Sequence, residues 1–278
     1  FIIIKKEVQV LMINFNGSLV PQEQLVFSTN ERIISYADSI KELIRIVDGE
    51  IFLWEDHYFS LMASMRIMRM QIPLNFTPEF FQNQIKTLLQ HNQNGCITFT
   101  CYRTTSSDIL DSSIGYFIVF DQQQEAWNHE IEEAEIDVYK DFVINDSFFS
   151  QNNIVHPEEN IARVYAHEND MRDLVLLNAN KRIAKSLNGS IFLVNDHKIR
   201  TPKQSEGVQK SVLRNHFIST LNKGKVFEVE ETEIFPFEMQ RAEEIFVLID
   251  GYGMVSYTKN RKKTYRTDKA QEIFSLFV

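Results

Sequence analysis

The sequence predicts an α+β protein of two domains, on three observations. Short strand signals recur along the whole chain with only a few helical stretches between them. A polar segment, Asp121-Gln-Gln-Gln-Glu-Ala-Trp-Asn128, divides that pattern into two halves. The 278 residues suffice for two domains of ordinary size, each with its own core. The expected boundaries are an N-terminal α+β domain over 1–121, an interdomain linker over 122–134 and a C-terminal α+β domain over 135–278.

In order, Ile13-Asn-Phe-Asn16 with Gly17 reads as a strand entering a turn. Leu43–Val47, Asp48-Gly49 and Ile51–Leu53 read as a hairpin, because Asp-Gly supplies the positive φ angles of a tight turn. Leu61, Met65, Met68 and Ile72 recur at helical spacing and predict a helix over about 55–72, its methionine-rich stripe facing a core. Thr77-Pro78 starts a second helix with a capping hydroxyl and a proline in the first turn. Phe81, Ile85, Leu88 and Leu89 form its buried stripe, and Asn94-Gly95 are expected to end it. Strands follow at 97–102, 114–120 and 136–139. His156-Pro157-Glu158-Glu159 opens a helix whose first-turn carboxylates suit its dipole. Further strands are expected at 174–177, 191–194, 198–200, 226–229, 245–249 and 254–257, with a helix over about 205–221.

Composition excludes several classes of function. The 29 basic and 38 acidic residues give a net charge of −9, and the densest basic run is Arg261-Lys262-Lys263, so a nucleic-acid partner is not expected. No stretch has the ~20 apolar residues of a membrane span. The Phe1-Ile-Ile-Ile4 run stops at Lys5, and lacks the charge-then-apolar order of a signal peptide. Cys96 and Cys101, five apart on one strand, point to opposite faces; two free thiols suit a reducing cytoplasm. His156 and His167 lie roughly 16 Å apart along a helix, too far to share a metal, so no metal site is expected.

Three stretches carry a resemblance: Asp173-Leu-Val-Leu-Leu-Asn178, Lys185-Ser-Leu-Asn-Gly-Ser-Ile-Phe-Leu-Val194, and Thr201-Pro202 with Gly207-Val208. Asn16-Gly17, Glu31-Arg32, Tyr36-Ala-Asp38, Arg45, Glu55-Asp-His57 with Leu61, and Ala242–Val247 extend it over nearly the whole chain. The sequence resembles class IV aminotransferases, which include branched-chain and D-amino-acid aminotransferases and aminodeoxychorismate lyases; its compact style looks closest to the lyases. The resemblance implies the two-domain D-amino-acid aminotransferase-like architecture of fold-type IV pyridoxal-phosphate (PLP) enzymes, with a cleft between the domains and a homodimer.

It also implies the groups that such chemistry requires: a Schiff-base lysine, a carboxylate on the pyridine nitrogen, and a set of phosphate ligands. The family's lysine lies about 33 residues before its pyridine-nitrogen Glu, and the two places hold Asn152 and Lys185 here. No lysine occurs between Lys140 and Lys181. The phosphate-binding arginine place holds Ser60, the Gly-Ile-Thr turn is Ser211-Val212-Leu213, and the later phosphate threonine is Asp250. Family glycines fall on Ile33, Ala37 and Ser39. Tyr36, Arg45, Arg103, Asn188, Ser190 and Arg214 are candidate cleft residues; the arginines suit either a carboxylate ligand or internal salt bridges. Lys185 suits either a relocated Schiff-base lysine or an ion pair with Asp250. His57 is expected to pack at a helix start.

The expectation is therefore a class IV protein without PLP or catalysis. It would keep a binding or assembly role, with a small anionic or carboxylate ligand in the interdomain cleft. The alternative is an active PLP-dependent aminodeoxychorismate lyase or amino-acid aminotransferase.

Overall fold

The computed structural model describes residues 11–105, 110–111, 113–150, 154 and 156–278. The apolar run at residues 1–4 and the lysine place at Asn152 lie outside the described residues. The chain divides into two compact units at Gln123/Gln124.

In the first unit, β1 (Met12–Phe15) turns through Asn16-Gly17 into β2 (Ser18–Pro21), with Asn14 Oδ1 accepting from the Gly17 N–H at 2.9 Å. A short α1 (Arg32–Tyr36) leads through Ala37, left-handed at φ 51°, into β3 (Ser39–Val47). The expected Asp48-Gly49 hairpin joins β3 to β4 (Glu50–Ile51), both turn residues having positive φ. Next come α2 (Trp54–Ile67), α3 (Pro78–Lys86), β5 (Asn94–Arg103) and β6 (Ile114–Gln123). They complete a sheet of order β2-β1-β6-β5-β3-β4 in which every neighbouring pair is antiparallel.

The helices are shorter than their apolar patterns suggest. α2 stops at Ile67 rather than Ile72, because Arg69 adopts φ 54° and breaks the helical run. Thr77 caps α3 as expected, accepting from the Phe80 N–H at 3.2 Å. α3 stops at Lys86, and Asn94-Gly95 begin β5 instead of ending the helix. Gly95 serves close strand packing: a Cβ there would meet the Asp121 carbonyl oxygen at 2.3 Å. Buried Phe81 of α3 packs its ring 4.8 Å from Phe99 of β5 and 4.6 Å from Phe76, at the centre of an aromatic core.

The second unit runs β7 (Asn128–Val138), α4 (Pro157–Glu168), β8 (Met171–Leu177), β9 (Ile183–Ser186), β10 (Ser190–Asn195) and β11 (Lys198–Pro202). It continues with α5 (Val212–Gly224), β12 (Glu228–Thr232), α6 (Pro236–Met239), β13 (Glu244–Ile249), β14 (Gly253–Asn260), β15 (Lys263–Thr264) and α7 (Asp268–Phe277). The sheet order is β12-β11-β10-β13-β14-β7-β8-β9, with β15 on β14. β7 is parallel to both its neighbours, and β11 is parallel to β12. Ile136, Val175, Ile191, Ile245, Val247 and Tyr257 stand in the core of this sheet.

Of the segment expected as a linker, 122–123 close β6, 128–134 lie in β7, and 124–127 join them. β7 carries little apolar pattern because ion pairs flank it, Glu135 with Lys259 at 3.1 Å and Glu132 with Arg172 at 3.6 Å. α5 begins at Val212 rather than near Ser205, since Gly207 turns at φ 91° and Ser211 supplies the cap. Cys101 is buried, Cys96 is half-buried, and neither forms a disulfide among the described residues. Among the described residues no helix is long and apolar enough to cross a membrane, and no cluster of His, Cys, Asp and Glu could hold a metal ion.

Candidate functional site

In the second unit, β9 is buried along its length and turns Lys185 towards α4. The Lys185 Nζ lies 2.7 Å from Glu159 Oε1 and donates to Gln209 Oε1 at 3.0 Å. Both charged side chains are about nine-tenths buried. Lys185 and Glu159 border a cavity of about 210 Å³ that Ser147, Phe149, Ser150 and His156 also line. The ion pair with Asp250 that the sequence allowed is not formed: Lys185 pairs with Glu159, and Asp250 is engaged elsewhere.

That other engagement is at the start of α5. The Ser211 Oγ accepts from the Arg214 N–H at 2.9 Å, capping the helix, and its hydroxyl donates to Asp250 Oδ1. A carboxylate therefore sits beside a helix N-terminus, the place where the backbone dipole favours an anion. Val212 is half-buried and Leu213 is buried. Arg214 is almost fully buried, donating to the Pro202 carbonyl at 2.8 Å and to Glu231 at 2.9 Å. Burial pushes its guanidinium pKa below the ordinary value, and Glu231 opposes that shift. Its Nε is buried without a hydrogen-bond partner.

In the first unit, the Ser60 hydroxyl donates to Glu42 Oε2 at 3.1 Å, and His57 Nδ1 lies 2.7 Å from Glu42 Oε1. His57 and Glu42 are buried, so this cluster ties α2 to β3 and gives His57 its packing role. Tyr36 is exposed at the end of α1. Arg45 is buried and donates to Gln123. Arg103 donates to the Met68 carbonyl and lies 3.3 Å from Asp38, which Arg32 also meets at 3.0 Å. Arg103 and Arg214 thus both make internal salt bridges.

Sequence reasoning missed a buried polar cluster beside Lys185. Asp173 of β8 is fully buried and accepts from the Ser186 hydroxyl at 2.5 Å, the Tyr257 hydroxyl at 3.1 Å and the Leu174 N–H at 2.8 Å. The Asn188 N–H adds a bond of 3.3 Å, while its side-chain amide donates to the Arg172 carbonyl. Burial pushes Asp173 up to about 6 despite these donors, and pushes the Tyr257 phenol up as well. Ser190 is buried at the start of β10, opposite Leu248 of β13. Glu159 and Gln209 were also missed. Glu159 was legible only as a first-turn helix acid, and nothing local points to its partner.

The model of the family described as amino-transferase class IV matches residues 39–256. This chain belongs to the class IV aminotransferase family. A probable branched-chain-amino-acid aminotransferase of Aquifex aeolicus (strain VF5) is 24% identical, covering 84% of this chain and 79% of that protein. The crystal structure of the branched-chain aminotransferase of Thermoproteus uzoniensis with norvaline superposes with a TM-score of 0.85 at 18% identity, covering 96% of this chain and 93% of the other. The branched-chain amino acid aminotransferase of Thermobaculum terrenum, in its PLP form, gives 0.82 at 17% identity over 96% and 92%. The α+β architecture of this class IV chain is thus that of fold-type IV aminotransferases.

Proposed function

We propose that this class IV protein has given up PLP-dependent catalysis and acts through binding or assembly. The observation that carries the reading is Asp250, a carboxylate held by Ser211 at the N-terminus of α5. The family resemblance puts a phosphate there. Two unit charges 4 Å apart repel by about 4 kcal/mol at an effective dielectric of 20, and a phosphate dianion doubles that. The Leu213 side chain offers no donor, and the Ser60 hydroxyl is spent on Glu42. Lys185 presents a cation at the place where a carboxylate would meet a pyridine nitrogen, and Asn152 offers no amine. These residues do not fit the cofactor.

A homodimer in the cytoplasm with a small carboxylate ligand belongs to the same reading. Two cysteines that form no disulfide support the compartment. The second reading, an active branched-chain aminotransferase, is favoured by the Aquifex relative. An aminodeoxychorismate lyase rests on the resemblance of sequence style alone.

The deciding experiment incubates purified protein with PLP, records the visible spectrum and reduces with borohydride before mass spectrometry. No stoichiometric adduct is expected. A stoichiometric phosphopyridoxyl adduct on one lysine would overturn the reading.

A further inference from the structure

Lys185 is a buried primary amine at the wall of a cavity, a placement that ordinarily makes a lysine reactive. Its surroundings oppose this. An ammonium has three donor hydrogens, and two acceptors from separate elements converge on Lys185: Glu159 from α4 and Gln209 from the segment before α5. Glu159 is held in turn by Arg163, one helical turn on, at 3.7 Å. The cavity of about 210 Å³ has room for a small molecule, and Ser147, Ser150 and His156 make its rim polar.

We infer that Glu159 is the internal counter-ion of this site, masking the Lys185 amine from carbonyl and anionic ligands while fastening α4 to β9. This deepens the reading that PLP chemistry has been lost: the charge that Lys185 brought in is answered from within the chain. As an ammonium bound to Glu159, the group has no free electron pair to attack a carbonyl carbon. With the carboxylate gone, the amine would lose its close counter-ion and stand open to a carbonyl compound entering the cavity. Glu159 acts on Lys185 and touches no reacting atom, so it is a positioning residue.

Reductive alkylation with propanal and cyanoborohydride tests the mask, with peptide mass spectrometry comparing Lys185 with the exposed Lys198 as internal standard. In the wild type Lys185 is expected to lag behind Lys198. In Glu159→Gln, where the carboxylate that occupies the amine is gone, its relative rate should rise by about tenfold. An unchanged ratio would overturn the inference.

A thermal double-mutant cycle guards against a variant that only loosens the fold. Lys185→Met and Glu159→Met should each lower Tm by roughly 10 °C, as expected when a buried pair is broken from one side. The double variant should lose less than either single. Additive losses would refute the fastening role. The PLP spectrum of the wild type stays an independent result: uptake of PLP with a coupled cycle would sink the loss of catalysis alone, whereas no uptake with additive losses would sink the counter-ion alone.

Discussion

Replacing Asp173 by Asn should change how the stability of the second unit depends on pH. Asp173 is fully buried, and its carboxyl rises from 3.8 to about 6 because burial outweighs its four hydrogen-bond donors. A carboxyl whose folded value is raised binds its proton more tightly in the folded state than in the unfolded one. Below pH 3.8 both states are protonated and the group costs nothing. Between there and pH 6 its contribution falls as pH rises, and above pH 6 the full cost remains. The gap corresponds to about 3 kcal/mol. In the variant, the amide oxygen keeps the Leu174 and Asn188 N–H bonds, and the NH2 can donate to the Ser186 and Tyr257 oxygens. Guanidinium unfolding of both proteins at half-unit steps from pH 4 to 8 gives the difference in unfolding free energy, from which other titrating groups cancel. That difference should shift in favour of the variant by about 2.4 kcal/mol between pH 4 and 7, the rest of the gap lying below pH 4. A difference that stays flat across the range would refute the assignment of a costly buried carboxylate.

Three further outcomes follow from the same geometry. Ser211→Ala removes the α5 cap and the hydroxyl held against Asp250, and should cost about 1–2 kcal/mol by denaturant titration, whereas an unchanged midpoint would mean the cap contributes nothing. Glu42→Gln leaves His57 or Ser60 facing an amide donor and should cost about 1–2 kcal/mol, with loss of slow amide exchange along α2 as a local readout. Phe81→Ala opens the aromatic core of the first unit and should cost about 3–5 kcal/mol, visible as a lowered Tm; a loss under about 1 kcal/mol would contradict that packing.

What the sequence made legible was local. The Asp48-Gly49 turn, the Thr77 cap and the apolar runs of β8, β10 and β13 carry their signal within a few residues, and each stands where the pattern put it. Glycine misled at Gly95, where the requirement is contact with the Asp121 carbonyl rather than a helix end. Only the end of β7, from Ile136, was read as a strand; its earlier part escaped because its partners, not its side chains, make it one. α7 went unread although Ala270, Ile273 and Phe277 repeat at helical spacing. At the site, the replaced residues could be located from the motif alone, but their new partners could not. The Lys185–Glu159 pair joins residues 26 apart, and Ser211–Asp250 residues 39 apart. Charge alone had suggested pairing the two odd residues with each other, and only the fold separates them.

β7 lies between β8 and β14, and its ladder with β14 joins Asn128 to Gly253 and Glu132 to Tyr257. As a ribosome extends the chain, the opening strand of the second unit has to wait for more than a hundred later residues before half of its backbone groups find their neighbour. During that interval its amides and carbonyls are open to water, to chaperones or to a stray strand edge. A stall or cleavage before Gly253 would leave this half of the molecule unable to close its central ladder, however well its helices had formed.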